Sequence, residues 1–194
     1  MPIDVDHEAR KRAIGQAGIR IIRRSGMAAL TIRAVAKEMG GSTSVVTNYA
    51  RNRAELLSLC LTAVLEEWDK QDRAFSREPK RRWEQFAASG LDWYTEPGQA
   101  VASVILQTLA DASNSDLLTM LHTELHKWRR AVLDAAHAAE VPEPDVATDT
   151  LYLLSRGIML TVQEDPESWP SERAEKAAIY LARVLQRGPG KKKK

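Results

Sequence analysis

The chain has a single cysteine, Cys60, in 194 residues, so no disulfide can form within it. Its start, from Met1 to Glu8, lacks the basic and then apolar order of a signal peptide. No stretch approaches the roughly 20 uncharged apolar residues that a membrane-spanning helix needs. We therefore expect a cytoplasmic protein with no membrane association. Cys60 is interpreted as a small core residue, because nothing near it in the sequence favours a thiolate.

Motifs of catalysis are missing as well. The sequence has no phosphate-binding loop, no Gly-x-Ser-x-Gly, no metal cluster and no nucleophile with a placed base. His122 and His126 stand one helical turn apart, but Thr123 occupies the position where a zinc protease motif needs glutamate. Ordinary surface or pocket histidines are the favoured interpretation, and a regulatory metal site is the alternative. We expect neither an enzyme nor a cofactor.

Charge is distributed unevenly along the chain. Residues 1–57 hold 10 Lys and Arg against 5 Asp and Glu, a net charge of +5, whereas residues 58–186 hold 13 against 21, a net charge of −8. The last eight residues add five positive charges and no negative one. A basic front segment on an acidic body is typical of a nucleic-acid-binding head on a non-binding core. Uneven surface charge without a role is the alternative.

Strand signals are nearly absent, and apolar residues recur at helical spacing, so the sequence predicts an all-α protein of about nine helices. The first helix runs from about Asp6 to Ser25 and stops at Gly26. A short second helix is capped by Thr31 and ends at Gly40-Gly41, and a third extends from Ser42 to about Tyr49. A fourth begins at Asn52, which forms a capping box with Glu55.

The remaining helices are longer and separated by proline or charged segments. The stretch Gln71–Arg82 is predicted as a joint before a helix with Trp83, Phe86, Leu91 and Trp93, which Pro97-Gly98 breaks. Further helices are expected over about 101–112, 116–140, 145–164 and 171–186, with a cap at Ser113-Asn-Ser. The composition of residues 188–194 predicts a disordered basic tail.

The segment from Thr31 to Leu57 contains two short helices around a glycine turn, the spacing of a helix-turn-helix. Ala36 is small where the second helix crosses the first, and Gly40 can adopt the positive φ of the turn. Val46, ten positions after Ala36, supplies the inward apolar side chain. Because helical hairpins that never bind DNA also use glycine turns, this spacing alone leaves both interpretations open.

The wider pattern resembles the DNA-binding domain of the TetR family. It comprises a first helix ending in glycine, Thr-x-x-x-Val-Ala, the turn, and Asn-Tyr-x-x-Asn-Arg-x-Glu-Leu-Leu, over about residues 9–62. The helical plan of the remainder is also similar. Two residues depart from the family's pattern: Ala50 stands where a phenylalanine is usual, and Gly41 where an aliphatic residue is usual. Neither removes a DNA contact.

The resemblance implies a domain plan and a set of DNA contacts. A three-helix DNA-binding domain would span residues 1–57 and a ligand-binding and dimerisation domain residues 58–187, before the tail. The third helix would enter the major groove, where polar side chains read base edges and methyl groups contact thymine. Val45 can equally be a core residue, and Arg10, Lys11 and Arg12 can lie along the backbone or on a solvated face. The expected DNA-binding residues are Thr31, Arg33, Thr43, Ser44, Val45, Thr47, Asn48, Tyr49 and Arg53, of which Thr31, Tyr49 and Arg53 match the family's phosphate-binding positions.

A palindromic operator and a small effector complete the expectation. The last two helices would pair with those of a second copy, since the helix from Asp145 is apolar nearly all round and Gly157 permits a close crossing. The effector is expected to be hydrophobic or aromatic, and a quaternary cation is also open. Its site would be lined by Trp83, Phe86, Trp93, Met120, Trp128, Tyr152, Arg156 and Met159, although aromatic residues at helical spacing are more often core than pocket. The predicted function is a ligand-responsive, dimeric repressor, and the rival is a helical interaction module without DNA binding.

Overall fold

The computed structural model describes residues 6–110 and 115–187. Over these ranges the chain forms nine α-helices and two 3₁₀ helices and no strand, which confirms the all-α fold. No helix within them is long and apolar enough to cross a bilayer. The α-helices are α1 His7–Ser25, α2 Ile32–Glu38, α3 Thr43–Thr47, α4 Arg53–Ala74, α5 Pro79–Ser89, α6 Glu96–Ala110, α7 Ser115–Ala138, α8 Pro144–Glu164 and α9 Ser171–Arg187. The 3₁₀ helices are Met27–Ala29 and Gly90–Tyr94.

Contacts divide the chain into two compact units. Among the described residues, the first unit comprises 6–72, 99–110 and 115–122, and the second comprises 73–98 and 123–187. The predicted domain boundary after residue 57 lies within α4. The predicted tail at 188–194 and the predicted cap at Ser113 lie outside the described ranges.

Helix α1 starts and stops where the sequence predicts. The Asp6 carboxylate accepts a hydrogen bond from the backbone N–H of Ala9 at 2.9 Å, which satisfies one of the free donors of the first turn. Gly26 ends the helix with φ 76°, and its N–H donates to the Ile22 carbonyl at 2.8 Å. The inner side chains Ile14, Ala17, Ile21 and Ile22 are all buried.

Two predicted breaks are placed differently in the structure. Helix α4 continues to Ala74 and α5 starts at Pro79, so the joint is shorter than Gln71–Arg82; the Glu78 carboxylate caps α5 through the N–H groups of Lys80 and Arg81. Pro97 does not break a helix but lies in the first turn of α6, where its missing N–H costs no helical hydrogen bond.

Gly98 explains the tight corner before α6. A β-carbon at this position would lie 1.9 Å from the Asp92 carbonyl oxygen, so only glycine fits. The Gly98 N–H donates to the Thr95 hydroxyl at 3.1 Å. The α-helix predicted to hold Leu91 and Trp93 ends at Ser89, and these two residues belong to the 3₁₀ helix that follows it. A proline-glycine pair in a sequence usually predicts the end of a helix, but here the pair lies in the first turn of α6.

The core of the second unit is built from α5, α7, α8 and α9. Trp83 and Phe86 of α5 pack among buried residues of α7 and α8, including Val132 and Leu151. The amphipathic α9 contributes Leu181, Ala182 and Leu185, which are half-buried against this cluster. Three aromatic residues of this unit, Trp83, Phe86 and Trp93, are thus core residues.

Candidate DNA-binding and effector-binding sites

The predicted helix-turn-helix is formed by α2 and α3. The Thr31 hydroxyl accepts from the Ala34 N–H at 3.1 Å and so caps α2. Gly40 has φ 66°, and the Gly41 N–H closes the turn on the Ala36 carbonyl at 2.9 Å. Ala36 and Val46 are both buried, as the helix crossing requires. The turn thereby sets the direction of α3.

Helix α3 and the residue after it present polar side chains to solvent. Thr43, Ser44 and Asn48 are exposed, whereas Val45 and Thr47 are half-buried and Val46 is fully buried. The helix covers Thr43–Thr47 and is shorter than predicted, because the chain tightens into a turn in which the Tyr49 N–H donates to the Val46 carbonyl at 2.9 Å. The half-burial of Val45 is compatible with both of its interpretations.

Ala50 is completely buried immediately after this turn. The position thus points into the interior of the first unit, as expected for one that usually holds phenylalanine. A smaller side chain here reduces the apolar area that α3 buries, at about 25 cal/mol per Å². The departure from the family pattern is one of packing, since no groove-facing side chain changes.

Tyr49 has a partner that sequence reasoning missed. Its hydroxyl lies 3.0 Å from Nδ1 of His7, and the two ring centroids are 5.8 Å apart. His7 is the first residue of α1, and 42 positions separate it from Tyr49. Their contact fixes the tyrosine ring at the end of α3. No local sequence signal links two residues this far apart.

Arg53 stands exposed at the start of α4, where Asn52 forms the predicted cap. The Glu55 N–H donates to the Asn52 side-chain oxygen at 2.9 Å, and the Glu55 carboxylate accepts from the Arg51 N–H at 2.8 Å. One Arg53 nitrogen, Nη2, donates to the Met27 carbonyl at 3.1 Å. A guanidinium has five N–H donors, so Arg53 retains donors for a phosphate while bracing the loop before α2.

Further cations lie along α1 and α2. Arg33, Arg10 and Arg12 are exposed, and Lys11 pairs with Glu8 at 2.8 Å. Arg20 and Arg24 both hold the carboxylate of Glu38, at 2.9 and 3.0 Å. The hydrogen bonds from these arginines, Arg20 first, lower the pKa of Glu38 below its ordinary value. This ion pair fastens α1 to the end of α2.

The predicted effector residues divide between the two units. Met120 belongs to the first unit, where its sulfur lies 4.0 Å from the Thr62 hydroxyl. The other seven belong to the second unit. Trp83, Phe86, Trp93 and Met159 are buried, and Trp128, Tyr152 and Arg156 are half-buried. The half-buried set is the part that a ligand can reach without displacing core side chains.

The aromatic side chains form a row across α5, α7 and α8. Phe86 meets Trp128 edge-on at 6.2 Å between centroids, and Trp128 meets Tyr152 at 5.9 Å. An arginine lies over the ring at each end: Arg82 over Phe86 at 5.0 Å and Arg156 over Tyr152 at 5.2 Å. His122 and His126, the alternative metal ligands, are both exposed on α7.

Helices α8 and α9 bury one face and leave another open. Leu151, Ile158, Met159 and Val162 are buried, whereas Leu153 is 68% exposed and Leu160 is 42% exposed. On α9, Tyr180 is 72% exposed, and Ile179 and Val184 are also exposed. We call Leu153, Leu160, Ile179, Tyr180 and Val184 the outer apolar face. The single chain therefore accounts for only one side of the nearly all-apolar α8.

Comparison with known proteins agrees with this architecture. No family model matches the chain. The sequence is 25% identical over 186 residues to the HTH-type transcriptional regulator PksA of Bacillus subtilis (strain 168), in an alignment that covers 92% of this chain and 91% of that protein.

Solved structures with the same fold have still lower identity. A TetR transcription regulator from Haloarcula marismortui superposes with a TM-score of 0.78 at 19% identity, covering 92% of this chain and 98% of that one. A transcriptional regulator from Saccharomonospora viridis, solved in complex with choline, superposes with a TM-score of 0.77 at 17% identity, covering 91% and 96%. The chain thus resembles the TetR family of transcriptional regulators in its motifs and has their all-helical fold.

Proposed function

We propose that this protein is a TetR-family transcriptional regulator that binds duplex DNA through α3 and responds to a small molecule. The observation that carries the proposal is the exposure of Thr43 and Ser44 on α3, and of Asn48 directly after it, on a helix anchored by the buried Val46. Hydroxyl and amide groups on such a surface can donate to and accept from base edges in the major groove. Enzymatic activity forms no part of the proposal.

Side chains beside α3 supply the proposed contacts to the DNA backbone. The exposed Arg33 of α2 and Arg53 of α4 offer donors on the helices that flank α3, and the Tyr49 hydroxyl, held against His7, lies at the end of α3. Thr31 keeps its hydroxyl proton available, because in the cap its oxygen acts as acceptor. Such contacts set the position of a protein on DNA, while base contacts set sequence preference.

The outer apolar face supports a dimer. Isolated exposed apolar residues are common, but five on two neighbouring helices, with Leu153 and Tyr180 about seven-tenths exposed, form a patch typical of protein contacts. Pairing two copies by a twofold axis would cover it and present two copies of α3 to a palindromic operator. Gly157 lies on this side of α8, and a β-carbon there would meet nothing within 4 Å of the same chain.

The effector part of the proposal rests on the second unit. Its half-buried Trp128, Tyr152 and Arg156 offer aromatic surface beside a charged group, which suits a small hydrophobic or aromatic molecule. We propose that the effector changes the spacing of the two α3 helices and releases the operator, so that the protein acts as a repressor. A ligand can do this only to the extent that it binds the released state more tightly.

Selection of duplexes from a random pool tests DNA binding. We expect an inverted repeat whose half-sites are about 10 base pairs apart, and an affinity that falls steeply as salt rises from 50 to 200 mM, by about 10³-fold or more. Ser44→Glu adds a negative charge in the first turn of α3 and should abolish binding. Ser171→Glu makes the same change in the first turn of α9 and is the control. Failure to enrich any sequence would favour an interaction module instead.

A further inference from the structure

Unsatisfied hydrogen-bond groups are concentrated in the second unit. Across the described residues, three buried side-chain polar atoms have no partner: Trp83 Nε1, Tyr94 Oη and Thr148 Oγ1. All three belong to the second unit, and Trp83 and Thr148 have no solvent exposure. Burying a polar group without a partner is unfavourable, so such groups are rare unless something else satisfies them.

Arg156 adds a charged group that lacks a carboxylate. It is half-buried, its Nη1 lies 3.5 Å from the Met159 sulfur, and its guanidinium covers the Tyr152 ring. In the part of the chain that the structure describes, no ion pair is formed by this arginine, whereas Arg129 on α7 is paired with Asp149. A thioether is a weak acceptor, so most of the five guanidinium donors have no strong acceptor among the described residues.

Trp83, Thr148 and Arg156 are linked through the packing of α5, α7 and α8. Thr148, Tyr152 and Arg156 are four residues apart and lie on one face of α8. Tyr152 contacts Trp128, which contacts Phe86, one turn beyond Trp83 on α5. Trp83 also packs in one cluster with two residues of α8. They are Ala147, directly before Thr148, and Leu151, three residues after it. An indole donor, a hydroxyl and a guanidinium therefore lie along one aromatic row.

The unsatisfied groups share a chemical preference. An indole N–H and a guanidinium can only donate, and the Thr148 and Tyr94 hydroxyls can donate as well. Burial raises the pKa of Tyr94, so its hydroxyl stays protonated. The site thus has an excess of donors over acceptors. A molecule that supplies acceptors, above all an anion, would satisfy it.

From this excess of donors beside aromatic surface, we infer that the effector is a carboxylate-bearing molecule with an apolar or aromatic body. Its carboxylate pairs with Arg156, and its body lies along Trp128 and Tyr152. The inference rests on the proposed function, because only a ligand that controls DNA binding is an effector. The binding of the ligand itself does not require DNA. A quaternary cation, the other possibility in the sequence, is disfavoured because Arg82 and Arg156 already lie over the two end rings.

Calorimetric titration of the full chain without DNA tests the inference. The probes are 2-naphthoate, 2-naphthylmethanol and 2-naphthylmethylammonium, which share a body and differ in charge, and decanoate as a second carboxylate. We expect 2-naphthoate to bind at least 10-fold more tightly than the alcohol and the ammonium to bind most weakly, since a charge-assisted bidentate pair forms only with the anion. An ammonium probe that binds as tightly as the carboxylate would overturn the inference.

Variants locate the site. Arg156→Gln should remove the preference of at least 10-fold for the carboxylate, and Arg156→Lys should restore part of it, since the charge returns without the planar fork. Arg130→Gln, an exposed arginine of α7, is the matched control and should change nothing. Thermal unfolding verifies that each variant folds. Unchanged binding in Arg156→Gln, or no binding of either carboxylate at millimolar concentration, would contradict the inference even if the protein binds DNA.

Discussion

Gly15 of α1 lies directly against the backbone of Leu59 on α4, so that a β-carbon on the glycine would stand 2.2 Å from the Leu59 carbonyl oxygen. The obstacle is backbone and not a flexible side chain, so one of the two helices would have to move. One turn away, a β-carbon on Gly18 would lie 2.4 Å from the sulfur of Cys60. The two glycines let α1 and α4 pack at close range in the first unit.

Gly15→Ala should therefore destabilise the protein, although alanine is the better helix former. We expect a loss of about 1–3 kcal/mol in the free energy of unfolding, the usual cost of overpacking. Urea unfolding followed by circular dichroism measures it. Gly41→Ala is the matched control, because its β-carbon would meet only the Val45 methyl group, at 3.9 Å. Equal unfolding midpoints for the two variants would show that α1 and α4 pack less closely than described.

Cys60 should be chemically inert in the folded protein. Burial raises the pKa of its thiol to about 12. At pH 8 the fraction present as reactive thiolate is therefore about a thousandfold smaller than for an ordinary cysteine. Labelling with a thiol reagent should proceed only after unfolding in guanidinium chloride. A Gln16→Cys, Cys60→Ser double variant carries an exposed thiol on α1 as the control and should react at once. Rapid labelling of native Cys60 would place it at the surface.

Glu38 should contribute stability at neutral pH that acid removes. Because its pKa is lower in the folded chain, the contribution is complete above the ordinary glutamate pKa of about 4.3 and is lost as the pH falls through the lower folded value. Glu38→Gln should thus destabilise the protein more at pH 7 than at pH 3, as urea unfolding can measure. Glu67→Gln removes only an exposed pair with Lys70 and should show no such difference.

The outer apolar face predicts the oligomeric state. Leu153→Lys should weaken self-association by about 100-fold or more, because a lysine in a closed apolar contact has no partner for its charge. Analytical ultracentrifugation measures the change. Ala88→Lys, on the exposed side of α5, is the control. If wild type and Leu153→Lys are both monomers at micromolar concentration, the proposed dimer is wrong.

Local signals in the sequence predicted most of the helix ends. These ends depend on a side-chain hydrogen bond or a positive φ that involves only neighbouring residues, so the local sequence is enough to predict them. They are the ends at Asp6, Gly26, Thr31 and Asn52. The prediction was wrong where the effect of a local signal depends on the path of the backbone around it. Pro97 lies in the first turn of α6, and Gly98 is needed because the Asp92 carbonyl approaches it.

The candidate sites were predictable in part for the same reason. The helical period of the sequence predicts which side chains of α3 face solvent. Their contacts with DNA remain a prediction. The pairing of His7 with Tyr49 and of Arg53 with Met27 joins positions 42 and 26 residues apart, which no window of sequence reveals. The separation of Met120 from the other predicted effector residues likewise depends on how the helices group into units.

The affinity of the Asn48→Ala variant for a selected and a scrambled duplex, at one fixed salt concentration, tests the central claim most directly. If α3 reads base edges, the variant loses about 10-fold on the selected duplex and little on the scrambled one, whereas Arg53→Ala weakens both alike. An unchanged ratio between the two duplexes in Asn48→Ala would contradict the claim that the end of α3 reads DNA sequence.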